Sequence, residues 1–188
     1  MNKTLLSAAL IAGFGVAAFA PQAAHAVSNS GTITITGAVA ASTCGVAVAG
    51  SASPTVTLPT AMTNALAAAG QATGWTAMNL VLSGCTVLAP YTTVTPYFSG
   101  ANIDTNGYLK NTAATGPATN VEVAISNTNA LSGALTLAGA VGTQGFASTP
   151  LSTSTATTYT LYAGYVAVAG AATAGAISTT VTYALNYQ

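Results

Sequence analysis

The segment that decides the fold is the last one in the chain, Gly175-Ala-Ile-Ser-Thr-Thr-Val-Thr-Tyr-Ala-Leu-Asn-Tyr-Gln188. Successive side chains of a β-strand point to opposite sides, so its odd-numbered residues share one face. That face is apolar almost to the end and consists of Ile177, Thr179, Val181, Tyr183, Leu185 and Tyr187. The segment contains no lysine, proline or charged residue. An edge strand without those blunting residues invites pairing with another chain.

A second alternating segment, Thr32-Ile33-Thr34-Ile35-Thr36, lies near the other end of the chain. One face of it is formed by Gly31, Ile33, Ile35 and Gly37. A sandwich whose final strand keeps an open edge is incomplete, and a strand with this alternation would complete it. Acting on a neighbouring molecule, it would form a head-to-tail contact that does not close, and hence a filament. Burial of the two isoleucines would contribute roughly 3–6 kcal/mol per junction.

Between these two segments the chain is a series of short extended runs separated by Gly, Pro, Ser and Asn. The runs are 46–48, 55–58, 79–82, 92–98, 108–109, 121–125, 134–137 and 159–168. Many short strands with turn signals between them are typical of an antiparallel sandwich or barrel. Only Met62–Ala69 has a helical pattern, of two turns at most. The sequence therefore predicts an all-β fold.

Charge is nearly absent from the sequence. Among 188 residues there are two lysines, no arginine, one aspartate, one glutamate and one histidine. Without a basic patch, nothing can drive binding to a phosphate backbone, so nucleic acid is not an expected partner. The hydrophobic share of 51% argues against intrinsic disorder, because disordered chains are poor in apolar residues and rich in charge.

The first 26 residues have the pattern of a secretory signal peptide. Met1-Asn2-Lys3 carries one positive charge, Leu5–Ala20 is nearly all apolar, and Ala24-His25-Ala26 provides a small-x-small cleavage site. The apolar run is shorter than the roughly 20 residues that a membrane-spanning helix needs. We therefore expect export and a mature chain that begins at Val27.

Removal of this segment leaves Asp104, Lys110 and Glu122 as the charged residues and leaves no histidine. A Ser-His-Asp triad and a histidine-based metal site are then impossible. Asp104 lies in a turn-like stretch and Glu122 in a strand-like run, which indicates a turn residue and a solvent-face strand residue rather than an acid/base pair. We expect no enzymatic activity, no catalytic or metal site, and no cofactor.

Two cysteines remain in the mature chain, Cys44 and Cys85. In an exported chain an even cysteine count indicates a disulfide, and no Cys-x-x-Cys redox motif is present. One bond closing a loop of about 40 residues contributes roughly 4 kcal/mol in the chain-entropy account.

Taken together, these marks resemble the chaperone–usher pilins, in particular the major subunits of type 1 fimbriae. The N-terminal marks are the Gly31-to-Gly37 strand shortly before Cys44 and a second cysteine about 40 residues later. The run Ala118–Ile125 is a further mark. At the C-terminus, Tyr187 is a penultimate aromatic, and Gly175 stands fourteen places from the end.

The resemblance implies an incomplete immunoglobulin-like antiparallel sandwich that a donor strand from another subunit completes. It implies a signal peptide at 1–26, a donor-strand extension at 27–39 and a pilin domain at 40–188. Gly31, Ile33, Ile35 and Gly37 would form the donor strand. A periplasmic chaperone and then a neighbouring subunit would bind the groove strand formed by Gly175, Ile177, Val181, Tyr183, Leu185 and Tyr187.

By the same resemblance, the chain would be a structural subunit of a cell-surface fimbria. It would pass through the periplasm, polymerise with copies of itself at an outer-membrane usher, and support adhesion. Two alternatives stay open. A minor pilin or adaptor would use the same machinery, although the Ile33/Ile35 alternation favours a repeating subunit. A secreted carbohydrate-binding sandwich would need an exposed aromatic platform, and Trp75, Tyr91 and Tyr97 show no convincing grouping.

Overall fold

The computed structural model describes residues 44–48, 50–51, 54–87 and 90–188. These residues form ten strands and two short 3-10 helices. The strands are β1 (Gly45–Val48), β2 (Ala72–Ala77), β3 (Leu80–Ser83), β4 (Thr93–Ser99), β5 (Leu109–Lys110), β6 (Val121–Ser126), β7 (Thr149–Pro150), β8 (Thr157–Tyr159), β9 (Tyr162–Ala167) and β10 (Thr182–Tyr187). The 3-10 helices are Thr63–Leu66 and Leu131–Gly133.

The strands form three antiparallel sheets. Their orders are β1-β3-β8, β10-β4-β7 and β2-β9-β6-β5. The predicted all-β fold is confirmed. The helical pattern at Met62–Ala69, of two turns at most, corresponds to a 3-10 helix at Thr63–Leu66. Leu66 alone in that turn is buried, so no apolar stripe is available to hold a longer helix.

One main hydrophobic core lies between the sheets. Alternation along β6 and β4 sends every second side chain inward, because the strand period is two residues. The buried members from the regular strands are Val48, Leu80, Leu82, Val94, Phe98, Leu109, Val123, Ile125 and Ala163. In the described part of the chain, no helix has the length and hydropathy to cross a bilayer.

The predicted disulfide between Cys44 and Cys85 is confirmed. It joins the residue before β1 to a residue just after β3, and those two strands pair from Gly45 opposite Ser83 onward. Both cysteines are buried in the main core. The bond therefore fixes the start of the described chain to the middle of the sandwich.

The Asn106-Gly107 turn lies between Ile103 and Leu109, which form an isolated antiparallel β-bridge. The Asp104 side chain organises this turn, since its carboxylate accepts hydrogen bonds from the backbone N–H of Asn106 (2.9 Å) and of Tyr108 (2.7 Å). Gly107 has a φ of +87°, and a β-carbon there would lie 2.7 Å from the backbone nitrogen of Leu137. Glycine is therefore required by both the backbone angle and the available space.

Candidate strand-binding groove

A long open groove with a volume of about 890 Å³ follows the C-terminal segment. One wall is residues 177–183, here called the C-terminal wall, and the other is residues 54–58, the N-terminal wall. The floor is almost entirely apolar. Its residues come from β4, β5, β6 and β9 and from the connection between β2 and β3. They are Met78, Phe98, Leu109, Val123, Ile125, Ala163 and Tyr165.

The C-terminal wall and β10 turn one face toward the core along their whole length. From 177 to 187 each odd-numbered residue is partly buried, and the even-numbered residues up to 184 are exposed. The apolar members that pack against the main core are Ile177, Val181, Tyr183, Leu185 and Tyr187. The structure thus brings together the residues that the sequence grouped on one face. The side-chain oxygen of Thr179, on that same face, is buried without a hydrogen-bond partner.

The peptide groups of β10 point alternately toward β4 and away from it. Thr93 and Gln188 exchange two hydrogen bonds, of 2.9 Å each, so the hydrogen-bonded pairs with β4 fall on the even-numbered residues of β10. The peptide groups of Tyr183, Leu185 and Tyr187 consequently point away from β4, toward the open side of the sheet. Among the described strands, β10 has β4 as its neighbour and forms the edge.

The peptide groups of the C-terminal wall alternate in direction upstream of β10 as well. Ser178 donates its N–H to the side chain of Asn111 (3.0 Å), and its carbonyl accepts from Thr112 N–H (2.7 Å). The carbonyl of Thr180 accepts from the side-chain amide of Asn102 at 3.1 Å. The even-numbered peptide groups are thus used on one side, and the odd-numbered ones are directed into the groove.

The N-terminal wall is also extended and alternating. Pro54, Val56 and Leu58 are half-buried, whereas Thr55 and Thr57 are exposed. Val56 and Leu58 pack against the main core. In the described ranges this wall belongs to no sheet, and no backbone hydrogen bond joins it to the C-terminal wall. The groove therefore has a strand-like wall on each side and an apolar floor.

Gly175 lies where two backbone segments come close together at one end of the groove. A β-carbon on Gly175 would lie 2.6 Å from the carbonyl carbon of Pro117 and 2.7 Å from the carbonyl oxygen of Gly116. The next residue, Ala176, accepts a hydrogen bond from Ala118 (3.0 Å) and donates one to Gly116 (2.7 Å). Gly175 also lines a smaller cavity of about 280 Å³, which shares residues with the main groove.

The few charged residues lie away from the groove. Lys110 and Glu122 are cross-strand partners on β5 and β6. Burial raises the pKa of Glu122, the charge of Asp104 raises it further, and Lys110 opposes both. Glu122 alternates with the buried Val121 and Val123, as predicted for a solvent-face residue, but it is half-buried and its Oε2 atom has no hydrogen-bond partner. In the described ranges, no cluster of three or more His, Cys, Asp or Glu could hold a metal.

Sequence reasoning missed the second wall and the floor as parts of one site. The alternation of Val56 and Leu58 after Pro54 was a usable signal for the wall, but no local pattern places it opposite residue 177.

The aromatic Trp75 packs on Gly164 of the neighbouring strand, where a β-carbon would lie 2.6 Å from its Cδ2 atom. The predicted donor residues Gly31, Ile33, Ile35 and Gly37 lie outside the described residues.

The sandwich and its groove define the class of the protein, an immunoglobulin-like domain of the type found in chaperone–usher pilins. A solved chaperone–usher pilus structure superposes with a TM-score of 0.54 at 18% identity, covering 86% of this chain and 97% of that one. The P pilus rod subunit PapA superposes with a TM-score of 0.52 at 18% identity, covering 77% and 99%. These similarities establish the fold.

A sequence model of the fimbrial protein family matches residues 33–188, and the chain belongs to that family. It is 34% identical to the F17 fimbrial protein of Escherichia coli, over 93% of this chain and 96% of the relative. It is 35% identical to the major fimbrial subunit SMF-1 of Stenotrophomonas maltophilia K279a, over 91% and 99%. The protein is therefore a structural subunit of a cell-surface chaperone–usher pilus, not an enzyme, and its partners there are other pilin subunits.

Proposed function

We propose that this chain is the repeating subunit of a homopolymeric fimbria and that it polymerises by donor-strand exchange. In each junction, residues 31–37 of one molecule lie in the groove of the next. The observation that carries the proposal is the direction of the C-terminal wall, whose odd-numbered peptide groups point into a groove with an apolar floor. An extended segment with alternating isoleucines can pair along this wall and place apolar side chains over the floor.

The donor strand matches the groove in chemistry. Ile33 and Ile35 would cover floor residues such as Phe98 and Ile125, which belong to the core of the sandwich. The opposite face of the donor carries Thr32, Thr34 and Thr36, which suits solvent. Insertion removes apolar surface from water on both molecules, and the backbone hydrogen bonds fix the register.

The open apolar groove also explains why the subunit would be bound by a chaperone before it polymerises. An apolar floor open to water promotes aggregation, so the subunit needs a partner from the moment it leaves the secretion machinery. After cleavage of the signal peptide at residues 1–26, a periplasmic chaperone lends a strand along the C-terminal wall. An outer-membrane usher then exchanges that strand for the extension, residues 27–39, of the incoming subunit. The domain at 40–188 forms the body of the fimbria, and the fimbria supports adhesion.

A repeating role is favoured over a minor or adaptor role by two observations. The Thr32–Thr36 alternation gives the chain a donor strand of its own, which a filament terminator does not need. The relative SMF-1, which matches over nearly its whole length, is named a major fimbrial subunit. A subunit with both a donor strand and a groove can be added any number of times.

Deletion of residues 27–37 tests this proposal. The shortened chain keeps its groove, so we expect it to accumulate as a chaperone-bound monomer and to give no fimbriae. Material sheared from cells producing the intact chain should run as a detergent-resistant ladder that collapses to one band after boiling in acid. As the matched control, a synthetic peptide of residues 27–39 should bind the shortened chain one to one. Fimbriae of normal length from the deleted chain would refute the proposal.

A further inference from the structure

The sheet that forms the groove has a second edge, on the far side of β4. The strand β7 covers only the first part of that edge, where Thr93 and Val94 pair with Pro150 and Thr149. Further along β4, Pro96 has no N–H to offer. The hydrogen-bonded pairs with β10 fall on alternate residues, so the peptide groups of Phe98 point to this second edge.

The side chain of Gln144 closes the edge at Phe98. Its Oε1 atom accepts a hydrogen bond from Phe98 N–H (2.8 Å), and its Nε2 atom donates to the carbonyl of Phe98 (2.7 Å). The same nitrogen donates to the carbonyl of Leu137 at 2.7 Å. Gln144 is only 1% exposed. A side-chain amide carries the same donor and acceptor as a peptide group, so Gln144 replaces one residue of a neighbouring strand.

Aromatic contacts hold the same loop against β4. The rings of Phe98 and Phe146 stack with their centroids 5.6 Å apart, and the edge of Tyr159 meets Phe146. The hydroxyl of Tyr159 donates to the carbonyl of Val94 at 3.1 Å. Side chains thus use the peptide groups on this edge at both Val94 and Phe98. A free strand that approached from this side would find the pairing groups taken.

We propose that Gln144 is a specificity-determining residue of strand insertion. By occupying the second edge of β4, its amide leaves β10 as the edge at which a donor strand from another copy of this chain can pair. The inference rests on the proposed donor-strand exchange. A strand paired at the wrong edge would join filaments side by side instead of end to end, because edge pairing between sheets is not selective in itself.

Assembled fimbriae provide the test, because donor strands already fill their grooves. The probe is a labelled synthetic peptide of residues 27–39. Wild-type fimbriae should bind it only at filament ends. Gln144→Ala removes the amide and leaves both peptide groups of Phe98 without their partner, so we expect peptide uptake along the filament to rise several-fold above wild type. The matched control is Gln71→Leu, because the side chain of Gln71 is exposed and bonds only locally, accepting from Ala68 N–H at 3.0 Å. It should behave as wild type.

The outcomes separate the two proposals. Gln144→Ala fimbriae that bind no more peptide than wild type would overturn the role of Gln144 and leave donor-strand exchange intact. Wild-type fimbriae that take up one peptide per subunit would show that their grooves are open, which contradicts donor-strand exchange itself.

If Gln144→Ala does not assemble, hydrogen–deuterium exchange in wild-type fimbriae tests the closure of this edge. The Phe98 amide should exchange with deuterium as slowly as the amides of Ala184 and Tyr97, which lie in the β10–β4 ladder. In Gln144→Leu, which fills the same space without hydrogen bonding, exchange at Phe98 should be about tenfold faster or more. Fast exchange at Phe98 in the wild type would overturn the closure of this edge.

Discussion

The two edges of the β10-β4-β7 sheet contrast in how they treat their peptide groups. On the far edge, β7, Pro96, Gln144 and Tyr159 either remove the pairing groups or bind them. On the groove edge, β10 and the C-terminal wall direct their odd-numbered peptide groups outward beside an apolar floor. If subunits join by the proposed donor-strand exchange, the closed edge sets the direction of assembly as much as the open one does.

One of the two edges of the four-stranded sheet is protected in another way. This edge is β5, a strand of two residues that carries Lys110, which lies opposite Glu122 in the neighbouring strand. A short strand bearing a lysine is a common device against edge pairing. In a chain with so few charged residues, Lys110 thus lies on this edge strand and Glu122 on the strand beside it, whereas residues 175–188 have none.

The largest effect is expected where a charge enters the groove. Ile33→Asp would place a carboxylate against the floor around Phe98 and Ile125, at a cost of several kcal/mol, so polymerisation should stop. The matched control is Thr32→Asp, which puts the same charge on the opposite face of the donor, where it meets solvent. The measurement is the detergent-resistant ladder of sheared material. A normal ladder from Ile33→Asp would mean that this side chain does not enter the groove.

A smaller effect is expected at the end of the groove edge. Gly175→Ala introduces a β-carbon within 2.6 Å of the backbone at Pro117, so one of the two segments must move. Overpacking of this kind costs about 1–3 kcal/mol, which should appear as a lower free energy of unfolding of the subunit with the 27–39 peptide bound in its groove. Gly45→Ala is the control, because its β-carbon would meet nothing closer than 3.4 Å. Equal losses at both glycines would contradict a special constraint at Gly175.

The open edge could be predicted from the sequence, but the closed edge could not. The alternation at 177–187 lies within one strand, and strand period is a local property that a single segment displays. The clamp by Gln144 joins residues 46 positions apart, and a lone glutamine in a turn-rich loop carries no local signal. The same reason explains why residues 55–58 were predicted as a short strand, which the structure does not form, and not as part of a wall of the groove.

Burial also escaped local reasoning at the charged residues. Glu122 occupies an alternate position of a strand whose other face is core, which predicts solvent exposure. Its surroundings in the sheet are Lys110 on one side and Val166 on the other, and half of the side chain is covered. The position of the two cysteines, by contrast, was predictable because an exported chain with one cysteine pair has one way to form an internal disulfide.

The smallest effect is expected at the edge protected by charge, and it depends on pH. Because the pKa of Glu122 is raised in the folded protein, the folded state holds this proton more tightly than the unfolded state does. The free energy of unfolding should therefore decline slightly as the pH rises from the ordinary value of 4.5 through the raised pKa. Glu122→Gln cannot ionise, so its stability should be flatter across this window in urea unfolding series.

Substitution of Lys110 should change the pH dependence in the opposite direction. Its charge lowers the pKa of Glu122 against burial and against Asp104, so Lys110→Gln should let that pKa rise further. The decline of stability with pH should then be steeper in Lys110→Gln than in the wild type, the reverse of the Glu122→Gln result. Assembly should be unchanged in both variants, because neither residue lines the groove. A flatter profile in Lys110→Gln than in the wild type would show that the charge of Lys110 does not lower the pKa of Glu122.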